Sequence, residues 1–395
     1  MLVAIFIDLT AAYDHIPRDF LFRVLSFRTG AHLLIKILQK IYEGTTAYIA
    51  GSKIKFDILV GCRQGGLESP TCFNYYFDFV LKVCADAIDK EFPDGWGVSF
   101  DYIIPNECTN RTQRASCKAR GIHFIKWLLY ADDLVLFCTS IEQARRILEI
   151  INDTCTRFGL TISFKKTKSM IFGDIEQSSK KSVIKVGNYD LENVTEFCYL
   201  GHSIYANEGT YTDLRISSAL SKFYEMSTVF KDGEINMPTR RKILEACVRS
   251  RLVYATQASW PSEAEIKKLE SCWYGCLRKM VRGGYRKKKD DSEEETFSFF
   301  YTNKDIENIV KTPPLRDFIS VQYLSYIAHI CRKENSDPTK MALFFIPKAR
   351  YFRDPWVKIS KLLGGISISQ CQRETQSRPG FRNLLCVNYP YLKED

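Results

Sequence analysis

Short apolar runs and helix-spaced stripes alternate along the first half of the chain. Val3-Ala4-Ile5-Phe6-Ile7 is a β-rich run that ends in Asp8, which puts a carboxylate near the C-terminal end of a buried strand. Residues 20–25 and 33–41 read as helices. Residues 46–49 and 54–60 flank Gly51-Ser52 and predict a hairpin. Pro70 suits the first turn of a helix that runs through Phe73, Phe77, Val80 and Val83. Residues 93–122, rich in Pro, Gly, Asn and Arg, read as an exposed insertion. The apolar runs 124–129 and 134–138 predict two buried strands, followed by a helix over 141–158 and a strand pair over 160–172. From about residue 210 the spacing turns helical, over 213–230, 239–258 and 263–281, each with apolar positions three and four apart above a charged face. Arg286-Lys287-Lys288-Lys289 followed by Asp290-Asp291 and Glu293-Glu294-Glu295 is a mixed block that reads as a solvated linker. The last hundred residues are basic and partly helical, and no internal repeat is evident.

Between the runs 124–129 and 134–138 stands Tyr130-Ala131-Asp132-Asp133. Adjacent carboxylates are costly to desolvate without a positive partner. A hairpin that lifts them to its tip, where a divalent cation can sit, removes the conflict. Asp8, Asp132 and Asp133 together have the chemistry to hold two magnesium ions, which prefer oxygen ligands and keep several waters. Two such ions about 4 Å apart stabilise the attacking and leaving oxygens of an in-line phosphoryl displacement.

Composition narrows the setting. At 395 residues and 45% hydrophobic content the chain can build two or three cored domains. A formal charge of +10 is compatible with a polyanionic partner but common among other proteins. Fourteen cysteines form no C-x-x-C pair. Cys272 with Cys276, or Cys108 and Cys117 with His123, could bind zinc, but free thiols in a reducing compartment are the simpler reading. The chain starts without a secretory signal pattern, and no apolar stretch nears the roughly 20 residues of a membrane span. The expectation is an intracellular protein of nucleus and/or cytoplasm, neither secreted nor membrane-bound.

Five blocks, in order, resemble the reverse transcriptases of non-LTR (LINE-type) retrotransposons. Phe6-Ile7-Asp8-Leu9-Thr10-Ala11-Ala12-Tyr13-Asp14-His15-Ile16 resembles their first catalytic block, and Tyr130-Ala131-Asp132-Asp133 their second. Gly61-Cys62-Arg63-Gln64-Gly65-Gly66-Leu67-Glu68-Ser69-Pro70 with Phe73-Asn74 is similar to the block that contacts template and nucleotide. Phe158-Gly159-Leu160-Thr161-Ile162-Ser163 with Lys165-Lys166-Thr167-Lys168 resembles the lysine-bearing block, and Phe197-Cys198-Tyr199-Leu200-Gly201 the primer-grip hairpin. Residues 303–332 and 356–385 are more loosely similar to segments beyond the polymerase of such elements.

The resemblance implies an α+β right-hand polymerase: a palm of antiparallel sheet backed by helices over 1–205, a helical thumb over 206–285 and a basic C-terminal extension over 286–395. It implies RNA-directed DNA synthesis with an RNA template, a DNA primer, deoxynucleoside triphosphates and two Mg²⁺ ions, with Mn²⁺ as a substitute. Asp8 and Asp132 would be the principal metal ligands, with Asp133 beside them. Lys166 would be the general acid for the leaving pyrophosphate. Tyr13 would exclude a ribose 2′-hydroxyl, Gln64, Gly65, Phe73 and Asn74 would face the nascent base pair, and Phe197, Tyr199, Leu200 and Gly201 would steady the primer. Lys222, Arg240, Arg241, Lys242 and Arg249 would track the duplex backbone. Ser163 and Glu68 depart from the residues usual in the family. The upstream fingers and endonuclease of such elements are expected to be missing, which makes the chain an N-terminally truncated, catalytically impaired polymerase. The alternative is a non-catalytic RNA-binding remnant.

Overall fold

Val3, Ala4, Ile5, Phe6 and Ile7 are all buried because their strand is covered on both faces. A computed structural model describes residues 1–49, 51, 53–103, 120–173, 183–206, 212–258, 260–281, 285–288, 296–299, 301–344 and 355–393. The chain divides into two units, one of residues 1–100, 124–199 and 204–208, the other of 101–123, 200–203 and 209–395.

In the first unit the elements that matter are β1 (Leu2–Ile7), α1 (Arg18–Thr29), α2 (Ser69–Glu91), β2 (Trp127–Tyr130), β3 (Asp133–Cys138), α3 (Ile141–Arg157), β4 (Lys168–Phe172), β5 (Ile184–Val186), β6 (Tyr189–Asn193) and β7 (Glu196–Tyr199). A six-stranded sheet has the order β2-β3-β1-β4-β6-β5. β1 pairs antiparallel with both neighbours, Ile7 opposite Leu134 on one side and Phe6 opposite Lys168 on the other. Only β4 and β6 run parallel.

Alternation along the strands sorts two cores. Val3, Ile5 and Ile7 join Leu134, Leu136 and Cys138 on one face, where Phe73, Phe77 and Val80 of α2 and Ala144, Ile147 and Ile151 of α3 cover them. Each large side chain buried there contributes roughly 1.5–3 kcal/mol. Ala4, Phe6, Val135 and Met170 form a smaller core on the other face, covered by Val194, Phe197 and Tyr199. Pro70 sits in the first turn of α2, and the buried positions 73, 77, 80, 81, 84 and 88 recur at helical spacing. Ser140 caps α3 by accepting from the Gln143 N–H at 3.0 Å. The Tyr76 hydroxyl donates to the Phe158 carbonyl at 2.5 Å and ties α2 to the end of α3.

Several local expectations change. The run 124–129 is not one buried strand: it is split between Arg120–Ile125 and β2, and β2 is the edge of the sheet, with Leu128 48% and Tyr130 64% exposed. An apolar run alone does not distinguish an edge from a centre. The expected strand pair over 160–172 is a single strand, β4, plus an isolated bridge between Leu9 and Ile162. The insertion over 93–122 has strands at Val98–Ile103 and Arg120–Ile125 and a buried Trp96, while residues 104–119, with Cys108 and Cys117, lie outside the described residues. Thr46–Tyr48 and Lys55–Asp57 do pair as a hairpin.

The second unit is helical: α4 (Thr212–Glu225), α5 (Met237–Leu244), α6 (Glu263–Met280), α7 (Asn303–Val310), α8 (Leu315–Cys331), α9 (Pro355–Leu362), α10 (Ile368–Gln376) and α11 (Arg378–Asn388). Ser262 and Glu265 close a capping box at the start of α6. One core joins Phe223, Leu244, Trp273 and Leu277 to Ile306 and Ile319, so it continues past residue 286. A second joins Leu324 and Ile327 to Trp356, Ile359, Phe381 and Leu385. The block read as a linker contributes a strand, Tyr285–Lys288, paired with Thr296–Phe299. The architecture is thus α+β, a mostly antiparallel sheet backed by helices and followed in the chain by a helical unit.

Most basic residues assigned to a duplex-tracking surface have other work. Arg249 pairs with Glu245 at 3.0 Å with its side chain 14% exposed, and lies over the Phe318 ring. Arg240 donates to the Phe230 and Met280 carbonyls, Arg241 to that of Lys311, and Lys222 pairs with Glu225. Lys242 is exposed.

Candidate active site

Strand register brings the acids together. Ile7 lies opposite Leu134, so the next step along β1 sets Asp8 level with Asp133. Tyr130 pairs with Asp133, leaving Ala131 and Asp132 as a two-residue hairpin tip. Ala131 has φ +53°, the positive value that the first tip residue of a primed turn requires. For an alanine this conformation costs about 1 kcal/mol. Asp133 has its pKa raised by partial burial, then by Asp132 and Asp8, so the three carboxylates share one electrostatic neighbourhood.

On the opposite side of β1, continuing the β4 register sets Asp8 level with Lys166. The Lys166 ammonium stands 3.6 Å from Asp8 Oδ2 and is 71% exposed. The segment between is bound to the strand end: Thr10 N donates to the Thr161 carbonyl at 2.8 Å, Ser163 N to the Asp8 carbonyl at 2.8 Å, and Asp8 N to Thr167 Oγ1 at 3.3 Å. Lys168 is engaged by Glu192 at 2.5 Å.

Tyr13 stacks on Phe73 with centroids 4.4 Å apart and planes 14° apart. Its hydroxyl pKa is raised by burial, then by the charge of Asp132 and by Cys62. Phe73 is fully buried, so it does not face a base pair as expected; it supports Tyr13 from below. Asn74, Gln64 and Gly65 are exposed. The 61–66 loop docks on the turn after Asp8: Cys62 N donates to the Tyr13 carbonyl at 2.7 Å and Gly61 N to the Ile16 carbonyl at 2.8 Å. A Cβ on Gly61, at φ +82°, would meet Asp14 O at 2.7 Å. Only glycine permits this approach.

On the Phe6 face, Phe197 stacks on Phe6 at 4.0 Å and Tyr199 lies 6.0 Å from it. By strand alternation that is the face on which Asp8 and Asp133 lie, and the Tyr199 pKa is raised by burial and then by Asp133. Leu200 and Gly201 form the turn after β7, with φ of 49° and 73°. The Leu200 carbonyl accepts from the Tyr254 hydroxyl at 2.7 Å.

With this geometry in view, the sequence profile of the family described as "Reverse transcriptase (RNA-dependent DNA polymerase)" matches residues 2–204. The chain belongs to the reverse transcriptase family. One curated relative, from Schizosaccharomyces pombe (strain 972 / ATCC 24843), is named "Uncharacterized 91 kDa protein in cob intron"; it is 26% identical over 193 residues, 41% of this chain and 22% of that protein. The chain therefore spans about a fifth of that relative's length. Among solved structures, the telomerase of Candida tropicalis with a fragment of telomeric RNA aligns over 83% of this chain and 46% of that one, at 11% identity and TM-score 0.36. The telomerase of Candida albicans aligns over 87% and 49%, at 12% identity and TM-score 0.31.

In this reverse transcriptase chain, no three His, Cys, Asp or Glu side chains form a ready metal cage among the described residues, and the described cysteines, Cys272 and Cys276 included, are free. The acids nevertheless suit a hard cation that draws remaining ligands from water and phosphate. Asp8 Oδ2 is buried and accepts no hydrogen bond, and Asp133 carries the unrelieved repulsion of its neighbours. Two residues escaped sequence reasoning. Arg18 donates to the carbonyls of Gly61, Tyr42 and Ile58 and to Thr45 Oγ1, at 2.6–3.1 Å, clasping the stem of the 61–66 loop. Asp14 accepts both contacts from Gln64 Nε2, at 2.8 and 3.0 Å. Arg18 left no signal beyond its place after Pro17, whereas Asp14 lay inside the first block.

Proposed function

We propose that the chain is an RNA-directed DNA polymerase of LINE-type retrotransposon character, with palm, thumb and C-terminal extension at 1–205, 206–285 and 286–395. Inside the cell, in nucleus and/or cytoplasm, it would join deoxynucleoside triphosphates to the 3′-hydroxyl of a DNA primer on an RNA template. The supporting observation is the register that sets Asp8, the residue after β1, level with Asp133 of the β2–β3 hairpin. Asp8 and Asp132, with Asp133, would hold Mg²⁺, or Mn²⁺ in its place. Bound there, the ions would acidify the attacking hydroxyl and stabilise negative charge on the transferring phosphate. Asp8 and Asp132 orient the reacting end by their fixed places at a strand end and a hairpin tip. Lys166, exposed and 3.6 Å from Asp8 Oδ2, would pass its Nζ proton to the departing pyrophosphate oxygen. Tyr13, braced by Phe73, would crowd a ribose 2′-hydroxyl and favour deoxynucleotides.

Primer extension on an RNA template by the 395-residue chain tests this. Extension should require Mg²⁺ and fall by about 10²-fold or more in Asp132→Asn. RNA binding without extension would support the RNA-binding remnant instead. An intron-type, maturase-like polymerase is a further alternative, favoured by the relative named for a cob intron. Stimulated splicing of a self-splicing intron RNA would support that alternative.

A further inference from the structure

Gln64 and Asp14 belong to different sequence blocks and meet across the dock between the 61–66 loop and the turn after β1. We propose that Asp14 is a positioning residue whose carboxylate fixes the Gln64 side-chain amide so that its carbonyl oxygen is what the loop offers to the incoming nucleotide. The proposal rests on the polymerase function above and adds to it the polarity of one contact.

A carboxylate offers acceptors only, so the Gln64 amide can meet it in one orientation, amino group inward. Gln64 Nε2 lies 2.8 Å from Asp14 Oδ1 and 3.0 Å from Oδ2. The amide thereby turns Oε1, an acceptor, away from the carboxylate, with one Nε2 hydrogen still unspent. Both ends of the bridge are held by backbone. Asp14 N donates to the Ala11 carbonyl at 2.9 Å, while Cys62 N is bound to the Tyr13 carbonyl and Gly66 N to that of Arg63, at 2.7 and 3.1 Å. Arg18 grips the Gly61 carbonyl from the other side at 3.1 Å. Gly65, with φ +78° and nothing within 4 Å of a would-be Cβ, leaves open space next to Gln64. Asp14 follows Tyr13 in the first block, so the bridge ties that block to the 61–66 loop. A glutamine freed from Asp14 would rotate and present donor and acceptor alike. A fixed one keeps Oε1 turned away from Asp14, where a donor such as a sugar hydroxyl or a base amino group can meet it.

The test uses the full chain and two kinds of readout. Side-chain amide signals of ¹⁵N-glutamine-labelled protein, with Gln64 assigned by its disappearance in Gln64→Glu, should move to the solvent-exposed position in Asp14→Ala. In primer extension, Asp14→Ala and Gln64→Ala should each raise the KM for the nucleotide about tenfold. kcat should change by less than about twofold. The double variant should be no worse than the worse single, because both remove one interaction. Asp14→Asn, which keeps an acceptor but adds a donor, should recover part of the loss. Unmoved Gln64 signals, additive losses, or a fall in kcat at constant KM would overturn the proposal. Should the unaltered chain fail to extend primers, the polymerase function falls, and the Gln64 signals alone decide the pairing: moved in Asp14→Ala they support it, unmoved they refute it.

Discussion

Asp133 bears the electrostatic cost of the centre. Partial burial first, then Asp132 and Asp8, hold its carboxyl above the ordinary range. Between the unfolded pKa, about 3.9, and this higher folded value, the folded chain binds more protons than the unfolded one. Stability therefore falls as pH rises through that window, and the penalty is complete above it. Asp133→Asn should melt higher than the parent at pH 7 in magnesium-free buffer, by less than about 1 kcal/mol because Asp133 is exposed and solvent screens it. The gap should close below pH 3, and a parent as stable as the variant at pH 7 would contradict the repulsion. The pair Asp132-Asp133 was legible in the sequence because a hairpin tip is local, whereas the run before it, read as a buried strand, ends in the exposed edge β2. Phe73 was read as a substrate contact, but a helix's buried stripe is fixed by what packs on it, and Phe73 faces Tyr13.

Among the elements, the 61–66 loop depends on two glycines in different ways. Gly61 and Gly65 have φ of 82° and 78°, yet only at Gly61 would an added Cβ meet other backbone, at 2.7 Å from Asp14 O. Gly65→Ala should cost only the left-handed strain of about 1–2 kcal/mol. Gly61→Ala should cost at least about 1 kcal/mol more, since the clashing atoms are backbone and cannot rotate away. Urea unfolding of the two variants compares them, and equal losses would mean that the dock is soft. Helix α2 was legible from Pro70 and its apolar period, and α3 and α6 from period alone; their caps Ser140 and Ser262 emerge in the structure. Residues 213–230 and 239–258 read as single helices but are broken, the first at Met226 and the second by a π-turn over Glu245–Arg249. Side-chain periodicity does not register such backbone breaks.

For the whole molecule, the balance of 56 Lys and Arg against 46 Asp and Glu is compatible with a polyanionic partner. RNA affinity, read by fluorescence anisotropy, should weaken at least about tenfold between 50 and 200 mM salt. Asp132→Asn should bind RNA as tightly as the parent, and salt-independent binding would deny a phosphate-tracking surface. The tail, read as only partly helical, packs α8, α9 and α11 around Trp356 and Phe381. No helix among the described residues is long and apolar enough to cross a membrane.

By itself the sequence determined whatever depends on near neighbours: the strand leading to Asp8, the acidic hairpin tip, the periodic helices and the order of the five blocks. Tertiary structure alone decided what depends on pairing at a distance. Register placed Asp8 between Asp133 and Lys166, more than a hundred residues away in each case. It also made β2 an edge, turned Arg18 and Arg249 to structural use, and joined Asp14 to Gln64. The physical reason is that a strand's pattern states which residues share a face, whereas its partner, and the step at which the two align, is chosen by burial summed over the entire sheet.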